Sequence, residues 1–130
     1  MNRLARFVLV LAAFVEIVPR GIPALFGTPA VARFFNLAYP EEYIPYVHAF
    51  GAVMICLGVL FYFASKEPAK HVLVINIALL RFVLGIGAQL GSYFQMGSLP
   101  VFWWVHMGID VVLVVLLVLA RRGLATEPAV

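Results

Sequence analysis

Long apolar runs separated by short polar, Pro- and Gly-bearing segments set the pattern of this chain. The first run starts after Arg3 and Arg6, extends from Phe7 to Val18, meets Pro19-Arg20-Gly21 and resumes over residues 22–26. It predicts a spanning helix over residues 5–26, kinked near Pro19 and Pro23, where proline removes backbone hydrogen bonds. Glu16 interrupts the end of the run and no small-x-small cleavage pattern follows, so it reads as a span and not as a secretory signal. Residues 27–42 are too polar and too Pro-bounded to span. Thr28-Pro29 has the form of an N-cap followed by a first-turn proline. It predicts a short interfacial helix from Pro29 to Leu37, with Phe34, Phe35 and Tyr39 at headgroup level. Further spans are predicted over residues 43–64, 71–94 and 101–120, joined by the polar turn Ser65–Lys70 and the uncharged turn Gln95–Pro100. Residues 123–130 read as a frayed tail.

Composition supports this division. The chain has 130 residues, of which 65% are hydrophobic and 12% charged, against roughly 45–50% and 25% in soluble domains. So few polar side chains cannot cover a water-facing surface, and the expected fold is an all-α, four-helix transmembrane bundle forming one domain over residues 1–130. The formal charge of +3 does not indicate nucleic acid, because the basic residues are scattered at the ends of apolar runs and not gathered into a stripe. Arg3, Arg6, Lys66, Lys70, Arg121 and Arg122 fall on one side and only Arg20 and Arg33 on the other, which predicts that both termini are cytoplasmic. The single cysteine, Cys56, lies inside an apolar run, where a small core or lipid-facing residue is expected.

Several polar side chains interrupt the spans. A charged residue at the bilayer centre costs about 2.5–3.5 kcal/mol on insertion scales, so each one needs a partner or a wet cavity. Glu16 lies on the first helix, His48 on the second, Arg81 and Gln89 on the third, and His106 and Asp110 on the fourth. With about 1.5 Å of rise per residue, His48 and His106 reach the same leaflet, roughly 8 Å deep, and Arg81 reaches the level of Asp110. His106 and Asp110 are four apart, as are Glu16 and Arg20, so each pair shares a helix face. The expected site is a polar pocket open to the exterior, lined by Glu16, His48, Arg81, Gln89, His106 and Asp110. An Arg81–Asp110 ion pair lies inside it, and Tyr46, Tyr93, Trp103 and Trp104 stand near its edge. The bland reading is that these ion pairs only fix the register of the bundle. Gly51, Gly58 and the Gly87-x-x-x-Gly91 spacing predict close helix packing. No metal-ligand spacing is present.

The pattern resembles the DoxX-like superfamily of small four-helix membrane proteins. The matching features are Glu16 late in helix 1, the Pro- and aromatic-rich segment Pro29 to Pro40, Gly51-Ala-Val-Met-Ile-Cys-Leu-Gly58, Arg81 followed by Gly85 and Gly87, and Asp110 in helix 4. The resemblance spans about residues 5–120. It implies a bundle with an interior polar cluster, found in some members as a membrane subunit of quinone-coupled oxidoreductase complexes. His48 and His106 are not part of that pattern. The favoured expectation is a non-catalytic accessory subunit that packs against larger membrane subunits, or against copies of itself, and is able to hold a lipid or quinone. The alternative is an isomerase-like binder or enzyme for an amphipathic molecule, with His106 as base, Asp110 orienting it and Arg81 holding developing negative charge. A haem b held by His48 and His106 between facing helices 2 and 4 stands last.

Overall fold

The computed structural model describes residues 2–38 and 41–125, with Thr28 in its backbone only. The predicted aromatic Tyr39 and the last five residues of the chain lie outside the described residues. Four helices are long and apolar enough to cross a membrane, Asn2–Phe26, Glu41–Lys66, Val72–Met96 and Val101–Ala125. No strand occurs among the described residues.

The first span is built from α1 (Asn2–Val15), a π-helical segment (Glu16–Gly21) and α2 (Ile22–Phe26). Pro19 has no N–H to donate and its ring would collide with the carbonyl four residues back in an α-helix. The wider π turn absorbs this, and Ile22 N–H returns to Ile17 O, five residues earlier. Where the sequence predicts a kink, the helix is locally widened and continues into α2. Pro23 sits in the first turn of α2, where a missing N–H is tolerated.

The short helix α3 is Thr28–Phe34. Gly27 occupies its N-cap and Pro29 its first turn, so Thr28 is already inside the helix and is not its cap. Asn36 ends it with φ 50°, and Leu37 N–H reaches Ala32 O at 2.8 Å while Asn36 N–H reaches Arg33 O at 3.3 Å. That is a left-handed helix stop with both orphan carbonyls satisfied. The second span opens with a single 3-10 turn and continues as α4 (Ile44–Lys66), and the third is α5 (Val72–Met96). The fourth, α6 (Val101–Ala125), runs past Arg121 and Arg122, so the predicted frayed tail is helical as far as residue 125.

The first span packs against α4 on one side and α6 on the other; α5 packs against α6 and touches α4 less extensively. Helices α4 and α6 therefore stand at opposite corners. At the end of the bundle that carries the chain termini, Val8, Leu9, Phe61, Ile75, Leu113 and Leu117 form a core no more than 1% exposed. Alanines 5, 12, 64, 78 and 120 join it and let the helices approach, the kind of packing that holds helices together in lipid. The bulky side chains left outside, among them Phe7, Phe14, Phe63, Leu73, Leu84 and Phe94, make an apolar jacket around the bundle. Cys56 is exposed on that jacket.

Glycines divide by face. A Cβ on Gly51 would lie 2.7 Å from Leu25 N and 2.9 Å from Gly21 O, so α4 touches the backbone of the first span there. Gly58 makes a similar approach to Ala13 O and the Ile17 side chain. By contrast Gly87 and Gly91 have nothing within 4 Å of a built Cβ, so within this chain their spacing is not a packing motif as expected. Gly87→Ala should therefore raise stability, by about 0.5–1 kcal/mol from helix propensity. Thermal unfolding in detergent measures it, and a lower melting temperature would show that this face is occupied.

Candidate functional site

Four charged side chains meet in the interior beyond the core. Glu16 opens the π segment and is 0% exposed, Arg20 is 7% exposed one wide turn later, and Asp110 on α6 is 1% exposed. Arg20 Nη1 donates to Glu16 Oε1 at 2.8 Å, and its Nη2 donates to Asp110 Oδ1 and to the His106 carbonyl, the latter at 3.3 Å. Arg81 on α5 is 17% exposed in its side chain, and its Nη2 lies 3.3 Å from Glu16 Oε1 and 3.1 Å from Met54 Sδ of α4. Two carboxylates and two guanidiniums make a neutral cluster drawn from three spans, with α4 supplying the thioether.

Phe82, fully buried, lies beside both cations, with its ring centroid 5.8 Å from Arg20 Cζ and 5.5 Å from Arg81 Cζ. A guanidinium near a ring face gains an electrostatic attraction of its own. Gly85 completes the enclosure. A Cβ there would lie 2.8 Å from both Arg81 Nη1 and Asp110 Oδ2, so these two groups stand around one point that only a glycine leaves free.

Of the two expected ion pairs, Glu16–Arg20 is formed and Arg81–Asp110 is not. Arg81 and Asp110 are near neighbours, yet among the described residues the pairs run from Arg20 to Glu16 and Asp110 and from Arg81 to Glu16. Arg20, read from sequence as a residue marking the exterior boundary, is the central cation. Its four-residue spacing from Glu16 predicted a shared helix face, and the structure joins the two; the bond from Arg20 to Asp110 had no such signal.

The remaining candidates are dispersed. His106 is half-buried, and its Nδ1 meets the Phe102 carbonyl at 2.9 Å. A carbonyl only accepts, so Nδ1 carries the hydrogen and Nε2 holds the lone pair in the neutral ring. The expected dyad of His106 with Asp110 is therefore not formed, since the ring bonds backward to Phe102 and the carboxylate is held by Arg20. His48 is half-buried on α4, at the opposite corner from α6, so the two imidazoles do not lie on directly packed helices. Gln89 lies two turns along α5 from Arg81, and Gln89 Oε1 and Arg81 Nε are buried with no hydrogen-bond partner among the described residues. Tyr93 stacks edge-on against Trp104 at 5.6 Å, and Tyr46 is exposed.

Beside the cluster runs a groove of about 480 Å³ between the first span, α3 and the start of α6. Pro19, Pro23, Phe35, Pro100 and Phe102 give it apolar walls, and His106 is the one member of the expected site set that lines it. Phe35 and Phe102 pack at 4.7 Å on its flank.

No protein-family model, curated protein or solved structure matches the chain. Its class rests on its own residues: four apolar helices in an all-α bundle define a small integral, multi-pass membrane protein in contact with the lipid bilayer.

Proposed function

We propose that the protein is a non-catalytic accessory subunit of a larger membrane complex of redox type, with an apolar groove that holds a lipid or quinone. The observation that carries this reading is the mutual pairing of Glu16, Arg20, Arg81 and Asp110. A general acid or base must be free to exchange a proton with substrate, and carboxylates clamped by guanidiniums are not. Such a cluster suits fixing helix register, a role in which buried charges are well attested. The groove adds a place for an amphipathic head, with His106 as its polar group. Membership of the DoxX-like superfamily is part of the proposal and supplies the redox partner. Both termini are assigned to the cytoplasm, and burial of Arg20 in the cluster leaves Arg33 as the one basic residue counted for the opposite side.

A second reading keeps His106 as the base of an isomerase-like binder, favoured by its place on the groove. Native mass spectrometry with an absorption spectrum, on protein extracted gently from its own membranes, separates these. Larger subunits co-purifying in fixed ratio are the expected result. A free bundle carrying one defined small mass would replace it with the binder, and a Soret band with a haem protein.

A further inference from the structure

At the opposite end of the bundle from the groove, where α4 ends, a second recess of about 350 Å³ opens between α1 and α4, lined by Arg6, Val10, Tyr62, Ser65 and Lys66. Its chemistry is cationic at the rim and apolar within. Arg6 Nη2 donates to the Lys66 carbonyl at 3.2 Å, which ties α1 to the end of α4, and among the described residues its other guanidinium donors have no assigned acceptor. The Lys66 ammonium lies over Tyr62 and Phe63, 5.6 and 5.0 Å from the ring centroids. Ser65 Oγ donates to Tyr62 O at 2.6 Å. Glu67, next in sequence to Lys66, is exposed and paired with Lys70, whose hydrogen bond holds the Glu67 carboxyl below its ordinary range. Arg6 and Lys66 thus face the recess with no anion of this chain assigned to them among the described residues.

We propose that this recess is a site for the headgroup of an anionic phospholipid, with Arg6 and Lys66 on the phosphate and Val10 and Tyr62 against the first part of the acyl chains. A guanidinium fork matches phosphate oxygens, and an ammonium adds a point charge. Val10 is 41% exposed one turn deeper than Arg6, and Tyr62 is 50% exposed one turn deeper than Lys66. A free phosphate has no use for these walls, whereas a lipid fills both parts. Basic recesses between spans are known to hold lipid headgroups in this way.

The test is native mass spectrometry of the full-length protein in detergent, titrated with phosphatidylglycerol and with phosphatidylcholine of the same chains. Wild type is expected to retain one phosphatidylglycerol in preference to phosphatidylcholine. Lys66→Gln should weaken retention about fivefold and Arg6→Gln/Lys66→Gln roughly 25-fold, at the usual worth of each cation near a membrane surface. Lys66→Gln keeps the main-chain carbonyl that Arg6 holds, and circular dichroism checks its fold, so this variant decides the matter even if the double variant unfolds. Arg3→Gln removes an exposed charge outside the recess and should leave retention unchanged. Equal retention of both lipids, or an equal loss in Arg3→Gln, would overturn the site in favour of diffuse charge. Displacement by equimolar inorganic phosphate would overturn the lipid assignment.

Discussion

Asp110→Asn is expected to destabilise the protein strongly. Asparagine keeps the size of the side chain, so no cavity opens; what is lost is the negative charge opposite Arg20, a guanidinium only 7% exposed. Breaking one side of a buried ion pair costs about 3–5 kcal/mol, and because Glu16 still holds Arg20 the loss is expected at the lower end of that range. The variant should accumulate poorly, and what is recovered should melt far below wild type in detergent. Arg20→Gln/Asp110→Asn should recover part of that loss, since it removes both members, with a coupling of about 0.5–3 kcal/mol. Arg81→Gln should cost less than Asp110→Asn, because Arg81 is the most exposed of the four and Glu16 keeps Arg20 when it is gone. A melting temperature for Asp110→Asn within error of wild type would mean that the cluster does not hold the bundle together.

Gly51→Leu is also expected to destabilise the protein. Even the Cβ of an alanine would lie within 3 Å of Leu25 N and Gly21 O, and both are backbone, so neither can rotate out of the way. Overpacking of this kind costs about 1–3 kcal/mol, and a leucine adds three more carbons to the same space. Gly58→Ala should be milder, because one of its obstacles is the Ile17 side chain, which can change rotamer. Thermal unfolding of Gly51→Ala, Gly51→Leu and Gly58→Ala checks the order. A Gly51→Leu protein as stable as wild type would show that α4 does not lie against the π segment.

The spans were legible because proline, glycine and charge interrupt the apolar runs where helices turn, and the predicted 71–94 and 101–120 differ from Val72–Met96 and Val101–Ala125 mainly at their ends. Arg121 and Arg122 stopped the predicted fourth span early, though long cationic side chains can reach water from a helix that continues. Glu16, Arg81 and Asp110 were legible for an energetic reason, since charge inside a span demands a partner. Which partner was not. Depth follows from residue counting, but the corner a helix occupies does not, and so Arg81 was matched to Asp110 and His48 set opposite His106. The π segment has no periodicity of its own in the sequence, so its widened turn could not be read from spacing, although the shared face of Glu16 and Arg20 could. The Gly87 and Gly91 spacing failed likewise, because it names no face.

The charges of the cluster also divide evenly among the spans. The first span carries Glu16 and Arg20 together, so its formal charges balance at that depth. Arg81 and Asp110 belong to α5 and α6, two helices that pack closely and are joined by a short turn, with both side chains meeting around Gly85. The formal charges of this hairpin balance as well. The spans therefore divide into two units of balanced formal charge, and in the bundle they share counterions: Glu16 holds Arg81 as well as Arg20, and Arg20 holds Asp110 as well as Glu16.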